Sequence, residues 1–413
     1  MAGFWHRVSK FLSAGHPGTL FTALLYFDFC FAVWVLNGAM APFISEEFKL
    51  DAAEKGFMIS VPVIAGALMR FPLGLMSQYI GRKNAAQVEM GMICLGLFFG
   101  WTCVETMVGV ITMGVILGIA GAGTSGAVLA VLFAPPLAKA YGWKAVYGMS
   151  IVPMALAMVL LQLLAKEPPD REHKSLRDYL KILIDRDAWV FNLMYMLTFG
   201  GYIGLTSFLP TLFHDQYGIP KQSVGQYSAV IIIMASILRV IGGYMADRVG
   251  GLRLLRGLGF IIILTTAAAA MLPADPWVMV VIMVLCFSAM GAGNGAVFQL
   301  VPLRFRTTTA VAGSLVGEIG ALAGGFLPNA MGLGRQYQGS FTPGFLSGTV
   351  LAVVVLIALK LVTKEWTTTW VGEGGKAHAH MDAEHEARGH KPHGHGHAQA
   401  ARGHHAPAHG RHA

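Results

Sequence analysis

Two arginines stand inside apolar stretches at matching places in the two halves of this 413-residue chain. Arg70 lies in VPVIAGALMRFPLGLMSQYIGRK and Arg239 in YSAVIIIMASILRVIGGYMADRVGG. Each is followed four residues later by a glycine (Gly74, Gly243) and seven residues after that by another (Gly81, Gly250). A guanidinium near the middle of a bilayer costs about 3 kcal/mol even on insertion scales, so it is kept there for a function or held by a partner. Two of them, with few acidic residues in the apolar stretches, point to a bound anion. Arginine brings a planar donor fork to such an anion, where lysine would offer only a point charge. The plainer alternative is a structural pairing of each arginine with Asp28 or Glu318.

The elements around them are set by composition. The chain is 55% hydrophobic and 13% charged, with a mean hydropathy of +0.58, which excludes an ordinary soluble domain. Backbone groups in lipid must be satisfied within the segment, so the expected fold is an all-α polytopic bundle. Apolar runs long enough to cross a bilayer are expected near 19–45, 56–80, 84–104, 145–165, 187–213, 223–247, 253–273, 277–301, 308–334 and 343–363. The first is too long for a signal-peptide core and reads as an anchor. Cys30, Cys94, Cys103 and Cys286 are scattered through these runs and read as small core residues, with neither a disulfide framework nor a metal site. The net charge of +8 sits mostly in loops and the tail, and no basic stripe for nucleic acid is formed. No nucleophile motif, Walker A sequence or dinucleotide fingerprint is present, so the reading is of a carrier without cofactor, not an enzyme.

The polar segment Lys166 to Arg186 divides the chain. The expected organisation is an N-terminal bundle over 1–165, a central loop over 166–186, a C-terminal bundle over 187–366 and a tail over 367–413. Basic residues in that loop, at Arg82–Lys83 and at Arg248–Arg256 mark the cytoplasmic side. The repeated Arg–Gly–Gly spacing indicates an internal repeat, as in transporters that bind substrate between repeats. The tail holds eleven of the fifteen histidines and reads as disordered, with adventitious affinity for divalent metal.

The loop segments GLMSQYIGRK (74–83) and GGYMADRVGG (242–251) resemble the short loop motif of the major facilitator superfamily. The second copy has the acidic residue of that motif, Asp247; the first has Gln78 there, which weakens one cytoplasmic latch. GAGTSGAVLAVLFAP (121–135), GAGNGAVFQLVP (291–302), GEIGALAGGFLPN (317–329) and TFGGYIGLTSFLP (198–210), with the two arginines, are similar to the nitrate/nitrite porter family within it. That resemblance implies two pseudo-symmetric helical bundles in a bacterial inner (plasma) membrane. It implies transport of nitrate or nitrite, held by Arg70 and Arg239 with a hydrogen bond from Tyr195 on the seventh helix. Thr124 and Ser125 stand where the family usually has asparagine, and can donate hydroxyls instead. Asn294 in GAGNG faces the cavity or glues helices together. Phe31 and Phe199 can pack on a planar ion.

Twelve spans are the superfamily pattern, and this chain offers about 11. The stretch Thr106 to Gly142 is long for one helix and short for two. From Arg239 to Gly317 is 78 residues and from Arg70 to Gly121 is 51, so the first half is 27 residues short. A deletion that fused two helices accounts for this. A single crossing there would place the basic 166–186 loop outside, so a re-entrant hairpin at Gly118, Gly121, Gly123 and Gly126 is preferred over one long tilted span.

Glu318 and Asp28 are the acidic residues expected within the membrane, and so the candidates for carrying a coupled proton. Proton-coupled nitrate uptake is the first reading and nitrate/nitrite exchange the second. A third, of another class, is a nitrate-binding relative that senses without transporting.

Overall fold

The computed structural model of the chain describes residues 16–119, 126–167 and 176–377. Among these residues the regular structure is helical, with no strand. The first half contains α1 (Pro17–Trp34), α2 (Leu36–Glu47), α3 (Ala52–Ile80), α4 (Arg82–Thr102), α5 (Met107–Gly118), α6 (Gly126–Tyr141) and α7 (Trp143–Leu164). A short amphipathic helix, α8 (Leu176–Ile184), follows in the central loop. The second half contains α9 (Arg186–Tyr195), a π-helical turn (Met196–Gly200), α10 (Gly201–Tyr217), α11 (Val224–Val249), α12 (Gly251–Ala270), α13 (Pro276–Arg304), α14 (Thr309–Gln338) and α15 (Thr342–Thr369). With α1–α2 as one crossing and α9–α10 as another, the described residues hold 10 helices long and apolar enough to span a membrane. The protein is a multi-pass membrane protein.

Local chemistry sets the helix ends. Asp51 and Glu54 form a reciprocal capping box at the start of α3, and Asp275 caps α13 just before Pro276. The repeat is visible in the backbone. Gly81 and Gly250, the second glycines of the matched spacing, turn α3 into α4 and α11 into α12 at φ +91° and +97°. That left-handed region costs glycine nothing and any other residue strain.

The ambiguous stretch resolves into two half-length helices instead of one long tilted span. At 1.5 Å per residue, α5 is about 18 Å long and α6 about 24 Å, both short of a bilayer core about 30 Å thick. Gly118, at the end of α5, packs on the Pro62 carbonyl and Gly66, halfway along α3. The far end of α6 lies at the outer surface: the indole of Trp143, just beyond it, donates to Glu47 at the end of α2 (2.5 Å). Both helices therefore have one end on the side away from the basic loops, the arrangement that the charge rule favours; the turn between them lies outside the described residues. Gly243 meets Gly295 of α13, whereas among the described residues a side chain at its counterpart Gly74 would touch nothing.

The halves touch at the outer end and part at the cytoplasmic end. Lys55 pairs with Asp215 at 2.6 Å, Lys221 with Glu46, and the Ala52 amide donates to the Gln336 side chain at 3.2 Å. Glycines let backbones meet there: Gly38 lies on Ser207, Gly56 on Pro328 and Gly332, and Gly225 on Val131. At the cytoplasmic end of the first half, the Glu167 carboxylate accepts from the Arg82 and Lys83 amides (2.6 and 2.9 Å). In the second half, Arg304 binds Asp185 and Asp187. Beyond the expected boundary at 366, α15 continues to Thr369 and residues Glu373–Gly375 fold onto α12, where Arg253 meets Glu373.

Candidate anion-binding site

Arg70 comes from the middle of α3 and Arg239 from the middle of α11, the same position in each repeat. Both turn toward Phe199 in the π-helical turn, whose ring centroid lies 5.7 Å from the Arg70 guanidinium carbon and 5.9 Å from that of Arg239. A π turn adds a residue to the helical repeat and re-aims the side chains after it, which is why such turns gather at functional sites. Phe199 stacks on Tyr195 (5.0 Å, 15°), and Tyr195 accepts a hydrogen bond from Arg239 at 3.4 Å. Trp34 covers the other side of Arg70 at 5.0 Å, its indole N–H fixed to the Pro62 carbonyl at 2.8 Å. Arg70 also donates to the Gly317 carbonyl of α14 at 3.2 Å, across the two halves.

The glycines of 317–329 make room for this arrangement. A side chain at Gly320 would collide with the Tyr195 ring, and one at Gly324 with Ile203 and Gly200. Gly325 of the same run admits Ile64 of α3. Small residues here let the α9–α10 crossing and α3 approach α14 closely, as helices do in lipid when packing replaces the hydrophobic effect.

Both arginines, Tyr195, Phe199 and Phe298 line one cavity of about 1200 Å³. Arg82, Lys83, Lys166 and Glu167 are at its mouth, so it opens at the end of the basic loops, the side that the charge rule makes cytoplasmic, while the opposite end is closed. The arrangement is inward-facing. Two cations set among aromatic rings can hold a small anion, and the aromatic faces accept the flat side of a guanidinium or of a planar ion.

The other expected residues are placed as follows. Asp28 lines the cavity, and so does Glu318, which is 7% exposed and accepts from Ser314 at 2.7 Å. Asn294 is 1% exposed within α13 and is not among the cavity-lining residues. Phe31 is buried edge-on against Trp34, behind the site. Thr124, Ser125 and the histidines of the tail beyond residue 377 lie outside the described residues. Two contributors go beyond the sequence-based expectations. Trp34 carried no motif to find it by. Glu89 of α4, which also lines the cavity, could have been found as a lone carboxylate in an apolar span.

The family model described as Major Facilitator Superfamily matches residues 22–132 and 120–328. The chain belongs to the Major Facilitator Superfamily. Among curated relatives it is 28% identical over 362 residues to the "Nitrite extrusion protein" of Bacillus subtilis (strain 168), covering 79% of this chain and 90% of that one. It is 25% identical over 364 residues to the "Probable nitrate transporter NarT" of Staphylococcus haemolyticus (strain JCSC1435), covering 81% and 94%. The resemblance to nitrate/nitrite porters carried by the glycine-rich segments thus holds among the relatives of this facilitator. A solved bacterial homologue of the human lysosomal transporter Spinster, inward-facing and occupied, shares the fold at a TM-score of 0.66. Its identity is 17%, with 86% of this chain and 98% of that one covered.

Proposed function

We propose that the protein carries nitrate or nitrite across a bacterial plasma membrane by rocking of its two halves about the arginine pair. One observation carries the reading: repeat-related arginines, one from each half, converge on a single aromatic ring in a cavity open to one side. An anion held between them belongs equally to both halves, so it stays bound while the outer contacts open and the cytoplasmic mouth closes. Nitrate and nitrite are flat, carry one charge and present oxygens to the guanidinium fork. The names of the curated relatives support these two ions over other planar anions.

Uptake driven by protons needs a carboxyl that meets the same cavity, and Asp28 and Glu318 both line it. Exchange of one anion for the other is the second reading. It is favoured by the relative named for nitrite extrusion and by the cost of leaving two cations together without an anion. Purified protein in liposomes separates them. Nitrate uptake under an imposed pH gradient establishes symport, and uptake requiring internal nitrite establishes exchange. Binding without flux in either condition would make the protein a sensor-like relative, and absence of binding would sink the anion reading altogether.

A further inference from the structure

Glu89 is a buried carboxylate that the scheme above leaves without a task. It is 8% exposed and lines the arginine cavity from α4. It accepts a hydrogen bond from the Tyr26 hydroxyl of α1, and Arg70 of α3 lines the same cavity. Other titratable groups on these two helices are the thiols Cys30 on α1 and Cys94 on α4, and Asp28 of α1 and Arg82 and Lys83 of α4, which line the same cavity. Helix α5 carries no titratable side chain. Those of α7, Lys144 and Tyr147, stand at its outer end, and Tyr79 of α3 is exposed at the cytoplasmic end.

Glu318 lines the cavity with Arg70 as well, but from the opposite half. Contacts between halves are the ones that change when the bundles rock, while contacts within a half are kept. Glu89, Tyr26 and Arg70 all belong to the first half, so their relation persists whichever side the cavity opens to. A coupling group must satisfy that condition in both states.

We propose that Glu89 is the proton-carrying counter-ion of Arg70, ionised when the site holds no anion and protonated when nitrate or nitrite binds. The carboxylate and the substrate compete for one guanidinium, so the proton that removes the first favours the second. By reciprocity, bound anion favours bound proton to the same degree. Anion and proton then enter together and leave together, which is symport. Tyr26 holds the ionised carboxylate toward the cavity and sets the pH at which the exchange of partners occurs. The inference rests on the carrier reading and deepens it.

The test is nitrate affinity of the full-length protein in detergent, measured by calorimetry from acid to alkaline pH. The wild-type affinity is expected to weaken as pH rises, by about tenfold per pH unit at the steepest. Glu89→Gln should flatten that dependence, whereas Asp28→Asn and Glu318→Gln should keep it. A pH dependence retained in Glu89→Gln, or abolished instead by either of the other two, overturns the assignment. Should Glu89→Gln fail to fold, Tyr26→Phe decides: it keeps the ring, removes the donor and should displace the midpoint to higher pH. An unmoved midpoint overturns the assignment. Wild-type binding that ignores pH would refute the role of Glu89 and leave the carrier reading standing. Wild-type protein that binds neither anion would remove the reading beneath it.

Discussion

The Arg70 guanidinium donates to the carbonyl of Gly317, 3.2 Å away in the opposite half of the molecule. Gly317 opens the glycine run that also receives the Tyr195 ring at Gly320. The cation of one repeat is thus tied to the helix that shapes the site in the other. A donor so placed can trade the carbonyl for an anion oxygen with little movement. The bond must lengthen when the halves rock, so substrate binding and the conformational step draw on the same side chain.

Replacing either arginine by lysine tests the fork directly. Arg70→Lys and Arg239→Lys keep the charge and lose the planar pair of donors, so each should weaken nitrate binding at least about tenfold, or about 1.4 kcal/mol. Calorimetric titration of each folded variant measures this. An unchanged dissociation constant in either one would remove that arginine from the clamp.

Phe199 is the ring both guanidiniums share. Phe199→Leu keeps apolar volume and loses the π face, worth about 0.5–2 kcal/mol for each buried cation it faces. The expected result is a loss of affinity with little change in thermal stability. A melting temperature that falls while affinity is unchanged would mark Phe199 as a packing residue only.

The outer closure rests on glycines that a side chain would wedge apart. Gly56→Val places methyl groups against the Pro328 carbonyl and Gly332, and so should disfavour the inward-facing state. In a variant with its native cysteines replaced, a reporter cysteine at Lys55 should become more reactive to an impermeant maleimide, and flux should fall. Equal labelling with and without Gly56→Val would show that this contact does not close the outer side.

Much of this was legible in the chain, for definable reasons. An arginine in an apolar helix is costly enough that its presence alone is informative, and the same Arg–Gly–Gly spacing twice located both cations and the repeat. The 27-residue deficit and the charge rule favour a hairpin-like or broken segment over one long span, and the described residues there form two short helices. Side-chain direction was not legible. Phe199 reaches both arginines from within a π turn, and no residue type announces such a turn. Glu89 stands as a lone carboxylate in an apolar span, but nothing in its spacing shows that it is buried or that it lines the cavity. Asn294 sits in a glycine signature yet packs inside α13, since spacing along a glycine-rich helix leaves its facing undetermined.

The C-terminal boundary separates a packed segment from the histidine-rich one. Val371 is fully buried, and Gly374 and Gly375 lie against Gly250 and Leu252, where α11 turns into α12. Burying a valine contributes about 1.5 kcal/mol, and the Arg253–Glu373 pair is exposed enough to add little. Ending the chain after Ala377 should therefore leave nitrate flux and melting temperature at wild-type values. Ending it after Trp370 should lower the melting temperature by a few degrees, because the turn at Gly250 loses its cover. A large loss of flux on removing only 378–413, restored by added zinc or nickel, would instead give the histidines a regulatory role through metal binding.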